Sequence, residues 1–132
     1  MEKKLINRSV RNFLRKTDRS LVSCEVLFKE EFYEDVISKA YYAFLYLVKA
    51  LLITKGITVK SHSSARRQFS LHYVKSGLIK VKYSKYFAKL LDSRFECDYD
   101  ERYTAEKFLA EEAIVQVKSF KEEVYKILKC KN

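Results

Sequence analysis

The chain has 132 residues, a common size for one domain and short for two, so residues 1–132 are read as a single domain. Hydrophobic residues make up 48% and charged residues 33%, which excludes a disordered polar chain, and no apolar run approaches the roughly 18 residues of a membrane span. Lys plus Arg number 27 against 17 Asp plus Glu, leaving +10 with both histidines neutral. Two readings of that excess stand level: an anionic partner, or a well-solvated lysine-rich surface.

Proline is absent and the only glycines are Gly56 and Gly77, so the residues that punctuate strands and hairpins are nearly missing and helices joined by short turns are expected. The first residues, MEKKLINRSVRNFLRK, are charged throughout and carry no secretory pattern, which gives the expectation of a soluble cytoplasmic protein that does not engage a membrane. Cys24, Cys97 and Cys130 make an odd count with no Cys-x-x-Cys and no histidine at ligand spacing. Neither disulfide nor zinc is expected, and Cys24 is read as a small core hydrophobe.

The first predicted helix, about 4 to 30, gathers Val10, Leu14, Thr17, Leu21 and Phe28 in one sector. Lys4, Arg8, Arg11, Arg15 and Arg19 recur at steps of three and four as a second, roughly opposite stripe. The second helix, about 34 to 55, has Ile37, Ala40, Tyr41, Phe44, Leu47, Val48 and Leu51 on one face and Tyr42, Leu45, Tyr46 and Ile53 on the other. It is either the central helix of a bundle or covered by a second subunit. Gly56 fits its C-terminus.

A polar loop, ITVKSHSS, supplies serines that suit an N-cap for a shorter third helix ending near Ser76 and Gly77. The fourth helix, about 80 to 98, turns Tyr83, Phe87, Leu90 and Leu91 inward. The last is expected to start at a Thr104 cap with Glu106 in its first turn, and its inward stripe is Leu109, Ala113, Val117, Phe120, Val124, Ile127 and Leu128. Short connections favour antiparallel neighbours, so the expected fold is all-α, an up-and-down bundle of about five helices.

Arg94 and Asp98 continue the inward stripe of Phe87 and Leu91, where charge needs a reason. One reading is a partly buried ion pair joining helices or subunits, the other a polar site in a cleft. Tyr99 and Asp100 follow directly, so an arginine, two carboxylates and a phenol are available for a phosphate or a ribose hydroxyl. His62 is read as a capping or hydrogen-bonding residue, and His72 shows no metal or triad spacing. Phosphate-binding glycine loops, serine elbows and Asp-rich metal motifs are absent, so neither a cofactor nor a metal is expected. Arg8, Arg11 and Arg15, with Arg66 and Arg67 on the third helix, form a candidate track for a phosphate backbone. Tyr41, Tyr42 and Tyr46 lie at core spacing and are read as packing residues before base-stacking ones.

The run Ser38-Lys39-Ala40-Tyr41-Tyr42-Ala43, then Lys49-Ala50-Leu51-Leu52, Lys55-Gly56 and Lys60-Ser61-His62, resembles the second helix and following loop of HEPN-domain proteins. Phe69, His72, Val74, Lys75, Ser76 and Gly77 are similar to the end of that family's short helix, and Arg94 to Tyr99 falls at its functional segment, for a likeness over about residues 8 to 128. The resemblance implies a homodimeric helical bundle paired with a minimal nucleotidyltransferase in a toxin–antitoxin-like system. In active members it implies a metal-independent endoribonuclease carrying Arg, four to six residues, then His. Arg94 matches that arginine, but Phe95-Glu96-Cys97-Asp98-Tyr99-Asp100-Glu101 contains no histidine. The expected role is therefore that of a dimeric nucleotidyltransferase partner touching RNA or a nucleotide. Alternatives are an endoribonuclease working through Arg94, Asp98 and Tyr99, and a plain basic nucleic-acid-binding module.

Overall fold

In a computed structural model, residues 2–130 are described, Cys130 by its backbone alone. Among the described residues, five α-helices make up the fold: α1 (Lys3–Lys29), α2 (Tyr33–Ile53), α3 (His62–Phe69), α4 (Val81–Tyr99) and α5 (Lys107–Cys130). A π-helical turn, Ser70–Val74, continues α3. The architecture is the all-α helical bundle expected from the sequence.

The apolar stripes of α1, α4 and α5 each bury against α2, whose two apolar sides are thereby both used. Helix α2 is the central helix of its own chain, and on its second side Leu45 and Ile53 are buried within the bundle while Tyr42 and Tyr46 are half-buried. By length and composition α2 is also apolar enough to cross a membrane, which corrects the expectation that no such segment exists. An uninterrupted-run criterion misses it because tyrosines and single polar residues break the run. Of that window 72% is buried inside the bundle, the placement of a core helix.

Aromatic rings form the centre. Phe44 of α2 stacks on Phe120 of α5 with centroids 4.0 Å apart and on Phe87 of α4 at 5.0 Å, and Phe87 in turn stacks on Tyr41 at 5.7 Å. One column of rings thus ties three helices. Thr17, fully buried on α1, donates its hydroxyl to the Phe13 carbonyl at 3.0 Å, so its polar atom is satisfied locally. Cys24 is buried as the sequence suggested, and burial, reinforced by Glu25, pushes its thiol up to about 12, away from the thiolate needed for reactivity. At the α1–α5 seam, Lys118 meets Glu25 at 2.8 Å and Lys121 meets Asp18 at 2.6 Å.

The connections follow local chemistry. Between α1 and α2 the chain reverses through Glu31 at φ +64°, with Phe32 N–H donating to the Leu27 carbonyl. Gly56, at φ +75°, closes α2 as expected. Ser61 caps α3, its Oγ accepting from Ser64 N–H at 3.1 Å. Phe69 and Tyr73 are both turned into the core along the π-helical turn, where Tyr73 Oη donates to the Leu51 carbonyl at 2.6 Å. Helix α5 starts at Lys107 and not after Thr104, which corrects the expected cap. Ala105 is buried there and its N–H donates to Glu34 Oε1 at 3.1 Å, so the preceding segment is tied to α2 and does not begin a helix.

Candidate functional site

Position 94 falls on the core-facing side of α4 because it lies seven residues beyond Phe87, two helical turns on. A long cationic side chain there covers apolar surface with its stem and needs a bed for its head. The bed is aromatic: the guanidinium carbon is 5.1 Å from the Tyr42 ring centroid, 5.7 Å from Tyr41 and 5.9 Å from Phe95. Only 14% of the side chain is exposed, and Arg94 Nε is buried with no hydrogen-bond partner among the described residues.

Asp98 lies one turn further along α4, and its Oδ2 is 3.2 Å from Arg94 Nη2. The pair is therefore internal to one helix, which corrects the reading that it joins helices. A buried cation with one carboxylate on one terminal nitrogen keeps donors uncommitted, and a buried donor without an acceptor costs about 1–3 kcal/mol. Such a group is suited to an oxyanion.

Around Arg94 stand residues from two other helices. Tyr41 of α2, fully buried, is hydrogen-bonded through Oη to His62 Nδ1 of α3 at 2.5 Å, with the two ring centroids 5.3 Å apart. Burial pushes the Tyr41 phenol up to about 12, opposed by the positive charge of Arg94. His62 is held below its ordinary value of 6.5 by burial first, then by the charges of Arg94 and Lys49. Arg66, one turn beyond His62 on α3, also acts on Tyr41 electrostatically. Cations from α2, α3 and α4 thus surround one phenol–imidazole pair.

The predicted site residues separate into groups. Arg94 and Asp98 are together. Tyr99 is 75% exposed and stacks on Phe95 at 5.6 Å, and Asp100 faces Arg102, accepting its backbone N–H at 3.0 Å. Arg8, Arg11 and Arg15 are exposed on α1, which packs on α2 and α5, whereas Arg66 and Arg67 are exposed on α3 over α4. The two basic groups occupy different helices. Tyr41 is a core residue, while Tyr42 and Tyr46 are half-buried, with Lys16 over Tyr46 at 5.6 Å. His62 does not cap α3; Ser61 does, leaving the imidazole for Tyr41. His72 Nε2 is paired with Gln68 Oε1 at 3.1 Å. Sequence reasoning did not join Tyr41 and His62 to Arg94. The signal was present in part, since Tyr41 and His62 stand in the same quoted pattern and Arg94 breaks an apolar stripe.

This geometry defines a class: an all-helical domain presenting a half-hidden arginine over aromatic rings at the junction of three helices. Residues 10–128 match the HEPN domain, and the chain belongs to the HEPN family. It is 30% identical over 132 residues to Putative toxin MJ0605 of Methanocaldococcus jannaschii, an alignment covering 96% of this chain and 97% of the relative. It is 32% identical over 125 residues to Putative toxin MJ0142 of the same organism, covering 95% and 85%. A UPF0332 protein of Thermotoga maritima is 26% identical over 114 residues, covering 86% of each chain.

Proposed function

We propose that residues 1–132 act as one HEPN domain within a toxin–antitoxin-like pair, as the dimeric, cytoplasmic partner of a minimal nucleotidyltransferase, and that Arg94 holds a phosphate of RNA or of a nucleotide. The observation that carries the binding part is the buried Arg94 Nε without an acceptor, on a guanidinium seated over three rings. Arginine suits this task because it stays charged and offers a planar fork of donors. The names of the two Methanocaldococcus relatives, Putative toxin MJ0605 and Putative toxin MJ0142, support the toxin–antitoxin setting. The exposed α1 cations add a sequence-independent attraction for nucleic acid.

A second reading, a metal-independent endoribonuclease, draws on the carboxylate of Asp98 beside Arg94, since arginine stabilises a crowded phosphorane while another group handles the proton. Incubation of the purified chain with a mixed RNA pool, without metal, separates the two. Retention of intact RNA by the wild type, lost in Arg94→Ala, is the expected result. Cleavage that disappears in Arg94→Ala gives the enzyme reading, and RNA neither retained nor cut, with no binding of AMP either, removes both.

A further inference from the structure

Three helices meet at Tyr41, and the meeting leaves one ring nitrogen uncommitted. His62 Nδ1 is taken by Tyr41 Oη at 2.5 Å, while His62 Nε2 makes no hydrogen bond among the described residues. Tyr41 has its ring stacked on Phe87 and buried, so the hydroxyl that reaches His62 cannot swing away without opening the core. Arg94 lies over the same Tyr41 ring, 5.7 Å from its centroid, and keeps its Nε unpaired. Lys49 of α2 and Arg66 of α3 add positive charge around this pair.

We propose that His62 is a second phosphate ligand of the Arg94 site, with Tyr41 as its positioning residue: the phenol donates to Nδ1, which leaves the Nε2–H tautomer to donate to a phosphate oxygen that Arg94 also holds. This is the tautomer in which the phenol is the donor; in the opposite one Nδ1–H donates to the phenol oxygen. A phenol that keeps its proton has one to give, and a neutral imidazole that accepts at one nitrogen carries its hydrogen on the other. Both groups lie against the Tyr41 ring, the Arg94 guanidinium carbon 5.7 Å and the His62 ring 5.3 Å from its centroid, so one oxyanion bound beside Tyr41 would take a hydrogen bond from each. The phosphodiester of RNA and the terminal phosphate of a nucleotide present the same oxygens. This inference rests on the phosphate reading of Arg94.

The chain has two histidines, which makes the test direct. Long-range proton–nitrogen NMR of the full-length protein at neutral pH reports the tautomer of each imidazole, and titration with inorganic phosphate, AMP and a short single-stranded RNA reports which nitrogen moves. The expected spectrum shows His62 as the Nε2–H form, with ligand shifting Nε2 while His72 serves as an unaffected reference. Shifts with RNA alone assign the phosphodiester; shifts with AMP or inorganic phosphate assign a terminal phosphate. His62→Ala, which removes the donor, should weaken binding about tenfold, and Tyr41→Phe, which keeps the core ring, should mix the tautomers of His62 and weaken binding by a smaller factor. An Nδ1–H tautomer, or full affinity in His62→Ala where Arg94→Ala binds nothing, overturns the role of His62 while leaving the Arg94 reading in place. No binding of any probe by the wild type overturns both.

Discussion

The charge of Arg94 is partly answered by Asp98 and partly by three aromatic faces, so its capacity for a ligand depends on the carboxylate. Asp98→Asn keeps the shape and removes the competing anion. Phosphate or RNA affinity is expected to rise about two- to fivefold, the scale of a partly exposed ion pair; a loss of affinity in a binding titration would mean that Asp98 itself serves the ligand. His62 supplies a stability prediction. Its folded-state value lies below 6.5, so as pH falls through 6.5 the unfolded chain takes up a proton that the folded chain refuses. His62 therefore adds nothing to the pH dependence above that range and lowers stability below it, until its folded value is reached. Thermal melts should show a decline below about pH 6.5 that is shallower in His62→Gln. At this scale Arg94 was legible, because a cation in an apolar stripe is conspicuous in sequence. The Tyr41–His62 pair was not, since it joins residues 21 positions apart and depends on how α3 crosses α2.

Helix ends decide where these side chains arrive. Ser61 accepts the Ser64 N–H, so Ser61→Ala should cost about 1 kcal/mol and loosen the first turn that carries His62; urea melts check the first effect and the His62 NMR signal the second. Glu31 holds φ +64°, a conformation costly for a residue with a Cβ. Glu31→Gly relieves that strain against a loss of chain entropy, for an expected gain of up to about 1 kcal/mol in the same melts. All five helices were legible from period and caps, including the three inward stripes that meet α2. The start of α5 was not. Thr104 has the chemistry of a cap, but the Ala105–Glu34 hydrogen bond, which spans 71 positions, outweighs that local preference. The π-helical turn was likewise hidden, because its i→i−5 hydrogen bond from Lys75 to Ser70 has no sequence signature of its own.

In the whole molecule, one ring column and one cationic junction share α2, so packing and site are coupled through Tyr41 and Phe87. Phe44→Ala at the centre of that column should cost about 3–5 kcal/mol in a denaturant melt. The basic excess, visible from composition, is divided between α1 and the α3–α4 side, a division that only the packing of helices displays. If Arg8, Arg11 and Arg15 contact RNA phosphates, replacing all three should flatten the dependence of log affinity on log salt by about two, while Arg94→Ala lowers affinity at every salt concentration. Phosphate binding by Arg94 is measured by the affinity of the wild type and Arg94→Ala for labelled single-stranded RNA without metal, with folding checked by melting temperature. A loss of about tenfold or more in a folded variant is expected; equal affinities would mean that Arg94 holds no RNA phosphate.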